Sequence, residues 1–145
     1  MSDNRRIALV TGGSRGLGRS EVVAIAQRGI DCIFTYNTNK DEADEVVSET
    51  GAHGAQVRAL QLDLADTPGF DNFATQVGET LAELGVEQFD YLVNNGGVSY
   101  HSPFADVQEA DLDRLYAVNF KGVFFLTQKP SVPMPLRQSP PEVYP

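Results

Sequence analysis

Cysteine occurs once in the 145 residues, at Cys32, so no intramolecular disulfide can staple the chain; this suits a reducing compartment. No apolar run approaches the roughly eighteen residues of a membrane-spanning helix, and no membrane partner is expected. Basic residues are scarce, 11 against 20 acidic, which gives a formal net charge of -9. That balance works against attraction to nucleic acid, and no basic stripe interleaved with aromatics offsets it. The first apolar run, Ile7 to Val10, is only a strand's length before Thr11-Gly12-Gly13 interrupts it, too short for a secretory signal core. The expected location is the cytoplasm. Two histidines and one cysteine spread this far apart make no metal constellation, so no metal site is expected.

What is present is a regular alternation. Ile7-Ala8-Leu9-Val10 is continuously apolar, as a strand buried on both faces reads. From Leu17 to Gln27, the apolar residues Leu17, Val22, Val23, Ile25 and Ala26 suit a helix packed on a sheet. Cys32 to Tyr36 predicts a second strand, Asp41 to Thr50 a short acidic helix, and Ala55 to Leu62 a third strand. Phe70, Phe73, Val77, Leu81 and Leu84 recur at helical spacing before Gly85. Phe89 to Val93 predicts a fourth strand, and about Asp106 to Gln128 a long apolar helix. The order βαβαβαβα implies an α/β fold, a Rossmann-like parallel sheet with helices on both faces, about four strands and expected order 3-2-1-4. Residues 1–128 form this partial dinucleotide-binding domain. In 129–145, six of seventeen residues are proline, so an irregular tail is expected there.

Chemistry concentrates at the first turn. Gly12, Gly13, Gly16 and Gly18 lie between a predicted strand and a predicted helix, where backbone must approach a phosphate closely and the helix start supplies unpaired amides. The spacing is not the simple G-x-G-x-x-G, and Arg19-Ser20 stands where a Walker loop has its lysine. The second strand ends in Thr35-Tyr36-Asn37 with no acid before Asp41. An acid there would repel a 2′-phosphate. Neutral Tyr36 and Asn37, with Arg15 in the glycine loop, favour NADP(H) over NAD(H).

With these motifs the chain resembles the classical short-chain dehydrogenase/reductases, in particular the 3-oxoacyl-[acyl-carrier-protein] reductase-like and glucose-dehydrogenase-like members. Thr11-Gly12-Gly13-Ser14-Arg15-Gly16-Leu17-Gly18 is similar to the family's T-G-x-x-x-G-x-G cofactor motif. In that family an arginine at the place of Arg15 accompanies NADP(H), and the acid of NAD-dependent members would fall at Tyr36. Asp63 and Leu64 match the aspartate turn after the third strand that meets the adenine region. Asn94-Asn95-Gly96-Gly97 is similar to N-N-A-G, with Gly96 replacing alanine. Asn119 aligns with the asparagine of the Asn-Ser-Tyr-Lys tetrad, where it helps hold a proton-relay water. The resemblance implies carbonyl reduction or alcohol oxidation of a small molecule, such as a 3-oxoacyl thioester or another ketone.

Nothing after Gln128 matches the strand bearing the catalytic serine or the helix bearing Tyr-x-x-x-Lys, and Tyr144 is followed only by Pro145. The expectation is a C-terminally truncated member with its cofactor cradle intact and its catalytic half missing. The abrupt change at Lys129 reads as a shifted frame or gene-prediction artefact. The alternatives are a deliberate dinucleotide-binding or partner-assembly module, or a remnant without function. Tyr116 reads as core or interface, Tyr100 and His101 as solvated loop residues, His53 as an exposed turn, and Ser99 as a hydroxyl capping local backbone. A helix carrying Leu112, Leu115, Val118, Phe120 and Phe124 without its covering elements predicts self-association through that last helix.

Overall fold

The computed structural model describes residues 5–129. Four strands, β1 (Ile7–Val10), β2 (Asp31–Tyr36), β3 (Val57–Gln61) and β4 (Tyr91–Val93), form one parallel sheet in the order β3-β2-β1-β4. The crossovers are α1 (Gly16–Gln27), α2 (Lys40–Thr50) and α3 (Phe70–Glu83). After β4 the chain forms α4 (Glu109–Tyr116), a π-helical stretch (Ala117–Gly122) and α5 (Val123–Gln128).

The sheet is buried on both faces because β1 is apolar at every position. Ile7 and Leu9 join one cluster with Ile33, Phe70, Phe73, Val77, Leu81, Val118 and Leu126. Ala8 and Val10 point the other way, into a cluster with Val22, Ala26, Cys32, Phe34, Ala43 and Val46. The period of two along β1 thus serves two helix layers, α3 with the π-helical stretch and α5 on one face and α1 with α2 on the other. Each fully buried Val, Leu, Ile or Phe contributes roughly 1.5–3 kcal/mol, so the inner strands anchor the fold.

Three expectations need correction. Leu17 does not pack on the sheet: it is 78% exposed at the start of α1. The last helix begins at Glu109 rather than near Asp106, because Phe104–Asp106 forms a separate 3-10 turn. That helix is also not uniformly α-helical, since the π-helical stretch interrupts its period. Its buried residues Val118, Gly122 and Leu126 form one line, while Leu112, Tyr116, Phe120 and Phe124 are exposed. Tyr116 is therefore not core; it stacks on Phe120 with ring centroids 5.5 Å apart. The predicted irregular tail lies outside the described residues, apart from Lys129.

Candidate dinucleotide site

The C-terminal ends of three strands meet at the first glycine turn, and polar side chains tie them together. Thr11, fully buried, donates its amide to the Val93 carbonyl at 3.0 Å, while its Oγ1 accepts from the Gly96 amide at 2.9 Å. Thr35 at the end of β2 accepts from the Gly12 amide through Oγ1 at 3.0 Å, and its carbonyl accepts from Gly13 at 2.8 Å. Asn95 donates its Nδ2 to the carbonyls of Thr11 at 3.1 Å and Gly12 at 2.9 Å. Every bond in this set satisfies a backbone group that the turn takes out of the sheet ladder.

The turn itself requires glycine at two kinds of place. Gly12 and Gly16 adopt φ of 69° and 60°, the left-handed region. Gly18 has a different reason: a Cβ on it would overlap the Gly12 carbonyl oxygen and the Asn95 amide nitrogen. The bare backbone lets α1 start directly against the turn. No side chain caps that start, and no acid stands in the first turn. The amides of Gly16, Leu17 and Gly18 precede the first intrahelical acceptor pair, Arg19 N to Arg15 O, so the positive end of the helix faces outward with an exposed Arg15 beside it. Ser14 is buried within the turn.

The other predicted residues fall around the same end of the sheet. Tyr36 is half-buried against the α1–α2 cluster, while Asn37 is exposed and its carbonyl accepts from Gln61 Nε2 at 2.8 Å. Asn37 and Asp63 both line a polar hollow of about 300 Å³, with Gln61, Asp66, Asn72 and Gln76. Asp63 accepts the Ala65 amide at 2.9 Å, which folds the turn after β3. Leu64 is buried beside Gly96. A Cβ on Gly97 would come within 3.1 Å of Asn119 Oδ1, so the loop after β4 lies close against the helix.

Asn119 sits inside the π-helical stretch. Its Oδ1 accepts from the Val98 amide and its Nδ2 donates to the Val98 carbonyl, each at 2.8 Å. The side chain replaces a strand partner for Val98, and its amide groups are committed there. π-Helical turns are rare and recur at functional sites. His53, Ser99, Tyr100 and His101 are exposed. Cys32 is buried, and its thiol is pushed up to about 12, first by burial and then by the charge of Asp31. No group of three or more metal-ligating side chains gathers among the described residues. No described helix is long and apolar enough to cross a membrane.

Sequence reasoning missed the roles of Thr11 and Thr35 as clamps. Thr11 was visible inside the motif, but Thr35 carried no signal beyond its place at a strand end. It also missed that Tyr36 and Lys40 have the Tyr-x-x-x-Lys spacing. The structure separates them functionally, because Tyr36 ends β2 whereas Lys40 begins α2 and pairs with Asp44 at 2.6 Å. They do not share a helical face.

Comparison with known proteins identifies the family and relatives of the same fold. The profile of the short chain dehydrogenase family matches residues 6–139. The 3-oxoacyl-[acyl-carrier-protein] reductase FabG of Staphylococcus aureus is 36% identical over 131 residues, 90% of this chain and 51% of its own length. Versicolorin reductase 1 of Aspergillus parasiticus is 32% identical over 133 residues, 89% of this chain and 49% of its own. Among solved structures, a short-chain dehydrogenase/reductase from Serratia marcescens superposes with a TM-score of 0.74 at 35% identity, covering 85% of this chain and 48% of that one. A short chain dehydrogenase from Burkholderia cenocepacia in complex with NADP has a TM-score of 0.75 at 34% identity, covering 86% and 48%. The chain spans about half the length of the curated relatives it matches.

Proposed function

The chain belongs to the short-chain dehydrogenase family, and from that premise we propose that it binds a nicotinamide dinucleotide across the Thr11–Gly18 turn, NADP(H) in preference to NAD(H). The observation that carries this reading is the uncapped start of α1 behind Gly12, Gly16 and Gly18, where a Cβ at position 18 would fill the space that lets helix and turn meet. Such a start holds a pyrophosphate by backbone amides and helix dipole. In this reading Gly12, Ser14, Gly16, Leu17 and Gly18 form the phosphate cradle. Arg15, with neutral Tyr36 and Asn37 opposite, takes the 2′-phosphate. Asp63 and Leu64 meet the adenine, and Asn95, Gly96 and Gly97 wall the adenosine side. The NADP-bound relative from Burkholderia cenocepacia supports this preference by likeness.

When bound, the nicotinamide would supply or accept a hydride at a carbonyl or alcohol carbon. Efficient transfer also needs a proton donor poised near the working pH and a group that stabilises the oxyanion. Asn119 does not titrate, and both ends of its amide already serve Val98. We therefore read the 145-residue chain as binding-competent and catalytically poor, with its substrate among small carbonyl or alcohol compounds. The exposed row Leu112, Tyr116, Phe120 and Phe124 favours pairing with a second copy, which sedimentation over a concentration series would detect.

The test is a titration of the purified chain with NADPH and NADH, followed by nicotinamide fluorescence. NADPH should bind several-fold tighter, and Arg15→Ala should weaken NADPH by about tenfold through loss of one charge-assisted contact while leaving NADH nearly unchanged. Tyr36→Asp should invert the order. A folded chain with no saturable binding overturns the reading, and equal affinities overturn the preference.

A further inference from the structure

The π-helical stretch touches two loops at once. On one side Asn119 pairs with both backbone groups of Val98. On the other, Gly122 is buried, and a Cβ on it would overlap the carbonyl oxygen of Leu64 and approach that residue's carbonyl carbon to 2.9 Å. Leu64 is itself confined: its Cδ1 lies 2.7 Å from where a Cβ of Gly96 would stand. A Cβ on Gly12 would in turn come within 2.9 Å of Gly96 Cα. Close approaches therefore run in a line from helix to glycine turn, through Gly122, Leu64, Gly96 and Gly12.

The first contact in that line is the tightest. At Gly96 the opposing atom is the end of a rotatable side chain, which can move aside. At Gly122 it is a backbone carbonyl, and moving it moves the turn after β3. That turn is held by two bonds, Ala65 N to Asp63 Oδ1 at 2.9 Å and Asp66 N to Asp63 O at 3.1 Å. The π-helical insertion matters as well, because one residue more or less rotates the following helix by about 100°. A shift of one residue would bring Lys121 or Val123 to the place of Gly122.

We infer that Gly122 is a positioning residue for the adenosine half of the site: its bare Cα seats the Leu64 carbonyl and so sets the Asp63–Asp66 turn that faces Asn37 across the polar hollow. The inference rests on the dinucleotide reading for its ligand and on the contact geometry for its mechanism.

The test uses the full 145-residue chain and the variant Gly122→Ala. Amide hydrogen exchange is read at Ala65 and Asp66 against the β1 amides, and binding is read with 2′,5′-ADP and with nicotinamide mononucleotide as the two halves of the ligand. In Gly122→Ala, exchange at Ala65 and Asp66 should quicken by about tenfold with β1 unchanged, since a local opening leaves the rest of the fold protected. The affinity for 2′,5′-ADP should fall by about tenfold while that for the mononucleotide holds. Unchanged exchange at the turn, or equal acceleration throughout the sheet, overturns the inference. If Gly122→Ala does not fold, native-state exchange of the wild-type chain decides: along a urea series below the unfolding midpoint the Gly122, Ala65 and Asp66 amides should open with one free energy, and separate openings overturn the inference. Failure of the wild-type chain to bind 2′,5′-ADP would overturn the dinucleotide reading and the ligand role of Gly122 together, whereas the exchange data still decide whether Gly122 holds the turn.

Discussion

Asn95→Ala is the substitution that most directly probes the glycine turn. It removes the Nδ2 bonds to the Thr11 carbonyl at 3.1 Å and the Gly12 carbonyl at 2.9 Å. Thr11 is fully buried, so its carbonyl loses a partner without gaining water. A neutral hydrogen bond contributes about 1 kcal/mol net, and an orphaned buried group costs about 1–3 kcal/mol, so the pair amounts to about 2–4 kcal/mol. With a urea slope of about 2 kcal/mol per molar, the unfolding midpoint should fall by about 1–2 M. The neighbouring Asn94 supplies the control. It is exposed and makes one side-chain bond, to Thr127 Oγ1 at 3.2 Å, so Asn94→Ala should shift stability by about 0.5 kcal/mol or less. The assay is urea unfolding of the three proteins by circular dichroism. Equal midpoints for the two alanine variants would refute the reasoning, because two adjacent asparagines would then contribute alike despite opposite environments.

Gly18→Ala should destabilise by about 1–3 kcal/mol despite alanine's higher helix propensity, since its Cβ overlaps backbone of the turn. Gly78→Ala in α3, where a Cβ meets nothing within 4 Å, should instead stabilise by about 0.5–1 kcal/mol; thermal melts that rank the two the other way would sink the argument. Cys32 predicts a loss of stability in alkali. Its thiol is raised from 9.0 to about 12, so its contribution is complete below pH 9 and is lost as pH rises towards 12, where the unfolded thiol ionises and the folded one does not. The slope approaches about 1.4 kcal/mol per pH unit. Urea midpoints measured from pH 8 to 11 should therefore decline less steeply in Cys32→Ala than in the wild-type chain; parallel curves would show that burial of Cys32 does not shift its ionisation.

Much of the architecture is legible in the sequence, for identifiable reasons. Ile7-Ala8-Leu9-Val10 reads as a doubly buried strand, because four consecutive apolar residues running into a glycine cluster leave no polar face. Helix and strand then alternate at periods of 3.6 and 2, and right-handed crossovers leave few parallel orders, among them the observed β3-β2-β1-β4. The candidate site was legible where residue type alone carries the constraint, as at Gly12 and Gly16, whose positive φ values suit glycine. Leu17 shows the opposite case. Periodicity puts it on the packing face, yet in the first turn of α1 it is 78% exposed, and only the assembled fold shows this.

The sequence by itself determined the succession of strands and helices, the apolar faces of the core and the place of the glycine turn, because periodicity and backbone sterics are local properties that survive without tertiary context. Tertiary structure decided which polar groups serve that turn. Thr35 near the end of β2, Thr11 just after β1 and Asn95 just after β4 lie as far apart in sequence as 84 residues, and nothing local to each announces a partner across the sheet. It also decided the π-helical break at Ala117–Gly122, where contacts to Val98 and Leu64 override the α-helical period that the residues alone would keep. Local pattern specifies elements, whereas close approach between backbones is settled only when the elements pack.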